Sequence, residues 1–205
     1  PAFGLISWDD GGVDSLWSTP ENWSTNTVPT GTDPASIDTP EDTHCVVAEG
    51  IEAVCETLRV GNGGVLTNLD ITGGSLTASG AYVGVDSPSG HGVLNISGGL
   101  FTTGSLQLGW DGIGTLNMTG GLVELEDELV IPGLSGTGTA NLRGGIVHAA
   151  DLRMTSAKGH IEMGAGALVL QGDDTERLQG YIDAGWITAY RGQGTLHLDY
   201  DPLAD

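Results

Sequence analysis

Leu94-Asn95-Ile96-Ser97-Gly98-Gly99 decides the fold, because the chain repeats it. Upstream stands Leu69-Asp70-Ile71-Thr72-Gly73-Gly74. Downstream come Leu116-Asn117-Met118-Thr119-Gly120-Gly121, Ala140-Asn141-Leu142-Arg143-Gly144-Gly145 and a worn copy, Ile161-Glu162-Met163-Gly164-Ala165. The first Gly of the pair moves from 73 to 98, 120 and 144, steps of 25, 22 and 24 residues. A period of this length, made of short apolar pieces and Gly turns, marks a solenoid, whose units bury their apolar sides only by stacking on one another.

Each unit holds two further pieces. Before the Gly pair lie Leu58-Arg59-Val60-Gly61, Ala81-Tyr82-Val83-Gly84, Leu106-Gln107-Leu108-Gly109, Leu129-Val130-Ile131-Pro132 and Leu152-Arg153-Met154-Thr155. After it lie Leu76-Thr77-Ala78, Phe101-Thr102-Thr103, Val123-Glu124-Leu125, Val147-His148-Ala149 and Leu168-Val169-Leu170. Apolar and polar residues alternate through most of these, which is strand periodicity. The pattern predicts an all-β fold, a parallel β-helix with three short strands per coil of about 23–25 residues. The expected hand is right, the near-universal sense of parallel crossovers. Gly accounts for 35 of 205 residues, enough to turn each coil three times, yet does not fall on every third position, which excludes collagen. Periodic apolar positions argue against disorder.

Open solenoid ends expose apolar surface and unpaired edges, so they need caps. Residues 1–42, with Trp8, Trp17, Trp23 and five of the eight Pro, are expected to form a capping arm over the first rungs. The coils occupy 43–172 and a second cap 173–205, all within one structural domain. In that second cap Asp173-Asp174-Thr175-Glu176 is helix-start chemistry, Leu178, Tyr181 and Ile182 fall at helical spacing, and Gly185 is a stop. A short helix plugging the mouth is predicted, then a final strand over Thr195–Tyr200. Leu100, Leu122 and Ile146, each following a Gly pair, form an outward apolar stripe that the arm or a neighbouring domain would cover.

A formal charge of −21 argues against nucleic acid as a partner, and against sulfated or carboxylated glycans unless a cation bridges the like charges. No apolar run approaches the roughly 20 residues of a membrane span. Cys45 and Cys55 leave two readings open: a disulfide in an oxidising compartment, or small core residues of the first rung. Asn22, Asn95 and Asn117 lie in N-x-Ser/Thr sequons, a pattern common by chance.

Trp8-Asp9-Asp10-Gly11-Gly12, Trp17-Ser18, Glu21-Asn22-Trp23, Val28-Pro29 and Asp33-Pro34-Ala35-Ser36-Ile37 resemble the opening of secreted bacterial β-helix proteins, among them PEP-CTERM-type surface proteins and autotransporter-like repeat regions. The repeats and Gly185-Trp186-Ile187-Thr188-Ala189-Tyr190 fit the same group. The resemblance implies export to the cell surface or medium. It also implies a covalently linked glycan-degrading domain, since such modules often stand beside one; the chain stops at Asp205 where relatives tend to run on.

The outward ladder of the first strand, Arg59, Tyr82, Gln107, Val130 and Arg153, with Trp110 and Asp111 at the adjoining turn, is the leading candidate site. A flat ribbon suits a linear polysaccharide: aromatic rings stack on sugar faces while Arg, Gln and Asp reach hydroxyls. The competing reading packs Tyr82 and Trp110 under the arm. The ladder Asp70, Asn95, Asn117, Asn141, Glu162 reads as structural, amides bonding along the stack. Asp9, Asp10 and Asp14 on a Gly-rich loop are the kind of oxygen set a structural Ca²⁺ takes, with solvated turn carboxylates as the alternative; no cofactor is required. Glu124, Glu126, Asp127 and Glu128 near His148 offer paired carboxylates, though acidic runs are usually solvated faces. The expected function is a non-catalytic carbohydrate-binding module for a neutral polysaccharide such as cellulose or xylan. A structural or adhesive stalk is the first alternative, and a polysaccharide lyase or glycoside hydrolase the second.

Overall fold

The structure, a computed structural model, describes residues 4–38, 44–64, 66–85 and 89–200. Strand makes up 51% of it and helix 6%, so a β-solenoid of about 6 turns leaves room for one short α-helix. Among the described residues every pairing between strands is parallel, the isolated Trp8–Trp23 bridge alone being antiparallel, and the three pieces of each repeat stack in three separate ladders.

The first face stacks β1 (Ile6–Ser7), β2 (Ala35–Ile37), the second halves of β4 (Glu52–Val60) and β6 (Ser75–Val83), β9 (Leu106–Leu108), β11 (Glu128–Ile131) and β13 (Asp151–Met154). The second stacks β3 (His44–Val47), β5 (Leu66–Ile71), β7 (His91–Ile96), the first halves of β10 (Ile113–Leu125) and β12 (Thr137–Ala149), β14 (Gly159–Met163) and β16 (Ile187–Ala189). The third takes the first halves of β4 and β6, then β8 (Leu100–Thr103), the second halves of β10 and β12, and β15 (Ala167–Leu170). Inward columns fill the prism: Leu69, Leu94, Leu116, Ala140 and Ile161 are each 0% exposed and lie in direct register. Burial of each Leu or Ile contributes about 1.5–3 kcal/mol, so stacking supplies what no single unit could.

Glycine is required where turns of successive coils touch. Gly109 has φ 68°, and a Cβ there would lie 2.2 Å from the Thr137 carbonyl oxygen of the next coil. Gly121, the second of its pair, has φ 78° and would bring a Cβ to 2.9 Å from the Gly99 oxygen. Left-handed backbone and a backbone neighbour at that range together admit no side chain.

The N-terminal arm forms a rung of its own. Ile6 and Ser7 pair with Ala35 and Ser36, while Trp17 N–H donates to the Val46 oxygen at 2.9 Å and Val46 N–H to Ser15 at 2.8 Å. Trp8, Trp17 and Trp23 then seal the mouth, with ring centroids 5.2 Å (Trp8–Trp23) and 4.7 Å (Trp17–Trp23) apart in edge-to-face contact. Asn22 is fully buried beside them. Its amide donates to the Asp14 and Leu16 carbonyls at 2.8 and 3.1 Å, and its oxygen accepts Gly12 N–H at 2.8 Å. That sequon therefore has no accessible acceptor. The arm engages the first and second faces, so it is not the cover of the Leu100–Leu122–Ile146 stripe on the third; Ile146 stays 41% exposed.

At the other end α1 (Thr175–Asp183) lies across the mouth. Asp174 occupies the N-cap without a side-chain bond, and Asp173 holds the Thr175 N–H (3.2 Å) and hydroxyl (2.6 Å) instead. The helix ends as the sequence predicts: Gly185 N–H bonds Ile182 O, Trp186 N–H bonds Tyr181 O, Gly185 takes φ 72°, and Trp186 stacks on Tyr181 at 5.6 Å. The strand expected at Thr195–Tyr200 does not form. The open edge of β14 is taken by β16, Ile187–Ala189, leaving the later alternation no partner. Cys45 and Cys55 are free thiols in the core; burial raises Cys45 and pushes Cys55 up to about 12.

Candidate functional site

Register brings the predicted ladder together. Ser36, Arg59, Tyr82, Gln107, Val130 and Arg153 follow one another up the outer side of the first face. Tyr82 and Trp110 meet edge to face, centroids 5.7 Å apart and planes at 88°, and both are half-buried. The column is not the open ribbon expected of it, however. Val130 is 0% exposed although it stands outside the core cluster, and the Gln107 amide oxygen is sealed from solvent with no partner. Trp110 is held by its turn: its carbonyl accepts N–H bonds from Leu134 and Ser135 (both 2.9 Å) and Gly136 (3.3 Å). Gly133 packs so closely that a Cβ would lie 3.0 Å from the indole. Thus Trp110 lies between Tyr82 of the coil below and Gly133 of the coil above.

The remaining candidates are committed elsewhere. Arg153 forms a fork with Glu128, 2.9 and 2.7 Å, which holds the Glu128 carboxyl below its ordinary value. Asp111 accepts the Ser135 hydroxyl at 2.7 Å. Arg59 is half-buried beside Tyr82. In the acidic run Glu124 faces His148 at 3.9 Å. Among the loop carboxylates, Asp14 accepts from Thr19 Oγ1 (2.7 Å) and Leu16 N–H (3.1 Å), bonds that lower its pKa and fasten the arm's turn; Asp9 accepts Gly11 N–H at 3.2 Å, and Asp10 takes φ 54°. No three His, Cys, Asp or Glu side chains converge as a metal-holding group among the described residues, and no helix among them is long and apolar enough to cross a membrane.

The amide ladder forms as read. Asn95 Nδ2 donates to Asp70 Oδ1 (2.7 Å), Asn117 to Asn95 (3.0 Å) and Asn141 to Asn117 (2.9 Å), while His44 Nδ1 meets Asp70 Oδ2 at 2.6 Å. Glu162 departs from it, since a carboxylate has no N–H to donate; it accepts Thr188 Oγ1 at 2.5 Å and Arg191 N–H at 2.6 Å, which lowers its pKa. The structure also shows two clefts that were not foreseen, both at the C-terminal end. One of about 850 Å³ runs between β15, α1 and residues 197–200. The other, of about 1030 Å³, opens around Arg143, Glu162 and Tyr190. Their only trace in the sequence is that the last repeat is the worn one. The chain matches no known protein family, no curated protein and no solved structure.

Proposed function

We propose that the protein is a non-catalytic carbohydrate-binding module that seats a neutral polysaccharide of plant cell-wall type, such as cellulose or xylan, along its first face. The observation that carries this reading is the Tyr82–Trp110 pair, two large rings half open to solvent on a stiff parallel ladder. Rings fixed by a strand and its adjoining turn lose little freedom on stacking against a sugar, which favours binding. Asp111 and Arg59 flank the pair as contacts for hydroxyls. Such a module acts outside the cell, beside a covalently linked glycan-degrading enzyme whose effective concentration at the polymer it raises. A structural stalk is the second reading, favoured by the three N–H bonds on the Trp110 carbonyl and the tight fit of Gly133.

Pull-down on insoluble cellulose, xylan and mannan tests the proposal. Binding to at least one of them is expected, weakened roughly tenfold, or 1.4 kcal/mol, by Tyr82→Ala and again by Trp110→Ala, with melting followed in parallel. Retention that survives both substitutions removes the site, and no retention on any of the three leaves the stalk.

A further inference from the structure

The β12 and β14 rungs of the second face break the columns of the earlier ones. The residue after the inward pair is Thr72, Ser97 and Thr119, then Arg143 and Gly164. The amide column is Asp70, Asn95, Asn117 and Asn141, then Glu162. All these departures line the cleft of about 1030 Å³, with Asn141, Thr188, Tyr190 and Arg191.

Three features of this cleft point to a ligand. The first is charge. The chain has 27 Asp and Glu for 6 Lys and Arg, so partners for a cation are plentiful. Arg153 and Arg177 are ion-paired, Lys158 donates to the Ser135 carbonyl, and Arg59 has a partner too. Among the described residues only the guanidinium groups of Arg143 and Arg191 have none, and both are exposed in this one cleft. The second feature is backbone. Tyr190 and Arg191 take φ 49° and 59°, successive left-handed residues that are not glycine, held by Tyr190 N–H on Met163 O and Arg191 N–H on Glu162. Such conformations persist where the surroundings impose them, and here they leave the Tyr190 ring 61% exposed. The third is an open acceptor. The Asn141 oxygen ends the amide ladder, because Glu162 above it has no proton to give.

We infer that this cleft binds a saccharide unit bearing a carboxylate. Arg143 and Arg191 take the carboxylate through planar, charge-assisted hydrogen bonds. Tyr190 stacks on the sugar face and the Asn141 oxygen accepts a hydroxyl proton. Glu162 opposes an anion, but both its oxygens are already engaged, and the two arginines outweigh it locally. The net charge of −21 acts at long range and is screened beyond about 8 Å at physiological salt. The site lies on a different face from Tyr82 and Trp110, so it stands whether or not a neutral glycan binds there.

The test is titration calorimetry and amide chemical-shift mapping of the full chain with hexagalacturonate, cellohexaose and a sulfated hexasaccharide, at neutral pH and physiological salt. Hexagalacturonate is expected to bind, shifting Asn141, Tyr190 and Arg191, and to weaken roughly tenfold with each of Arg143→Gln and Arg191→Gln. Tyr190→Ala weakens it as well. The proposal is overturned by absence of saturable hexagalacturonate binding, by shifts confined elsewhere, by undiminished binding to the well-folded double Arg variant, or by tighter binding of the sulfated or the neutral hexamer in this cleft.

Discussion

The two ends of the solenoid solve one problem in opposite ways. At the N-terminal mouth three Trp rings at 2%, 1% and 0% exposure interlock, and a fully buried Asn22 ties the loop beneath them. At the C-terminal mouth α1 has no buried residue; Leu178, Tyr181, Ile182 and Trp186 are only partly covered against the core. Both clefts lie at that second end. A tight seal leaves no room for a ligand, whereas a helix resting on the mouth leaves grooves along its margins. The comparison assigns stability to one end and accessible chemistry to the other.

Removing the seal is the strongest way to break that comparison. Trp23 touches both other rings and donates its indole N–H to the Trp17 carbonyl at 2.8 Å. Trp23→Ala is expected to cost about 3–5 kcal/mol, read as a lowered denaturation midpoint. Asn22→Ala comes next, at about 2–3 kcal/mol, because it removes three hydrogen bonds made by a fully buried side chain, to the Gly12 N–H and the Asp14 and Leu16 carbonyls. At the opposite end Gly185→Ala is expected to cost about 1–2 kcal/mol, from left-handed strain alone, since no atom lies within 4 Å of the new Cβ. Should Gly185→Ala prove as damaging as Trp23→Ala, the ends would be equally tight and the contrast would fail.

What the sequence disclosed follows the same division. The coils were legible because a strand's period is fixed: Leu94-Asn95-Ile96 assigns inward and outward sides without knowledge of any neighbour, and the amide ladder follows once the copies are aligned. The meeting of Tyr82 with Trp110 was legible to the extent that register makes them neighbours. The burial of Val130 was not, because period assigns it to the outer side and says nothing of what lies over that side. Thr195–Tyr200 alternates like a strand yet forms none, for alternation describes one segment while a ladder needs a free edge. The cleft at Tyr190 rests on left-handed angles at residues that seldom adopt them, a feature that propensity cannot announce.

Acid produces the smallest effect and sharpens the contrast by region. Carboxyls held below their ordinary values gather towards the C-terminal end: Glu128 by Arg153, Asp151 by Arg177, Glu162 by Thr188 and Asp173 by Thr175. Such a group stabilises the fold above its unfolded value, 4.5 for Glu and 3.8 for Asp, and the contribution disappears as pH falls through the depressed folded value. Asp38, next to the N-terminal rungs, has the opposite sign. Burial raises it, so its ionisation opposes folding at neutral pH and protonation relieves that opposition on acidification. Asp14 is lowered by the Thr19 hydroxyl, but it is exposed, where solvent leaves such a term little weight. Arg177 bridges Asp174 at the start of α1 to Asp151 on β13, so losing the Asp151 charge loosens the helix from the coil. Amide protection, taken relative to the intrinsic exchange rate at each pH from neutral to below 3.8, should therefore fall first in α1 and β16, while the amides of β2 and Trp23 keep theirs. Loss of protection that begins at the tryptophans, or proceeds evenly along the rod, would mean that the two caps open as one unit and that the C-terminal grooves owe nothing to a looser seal.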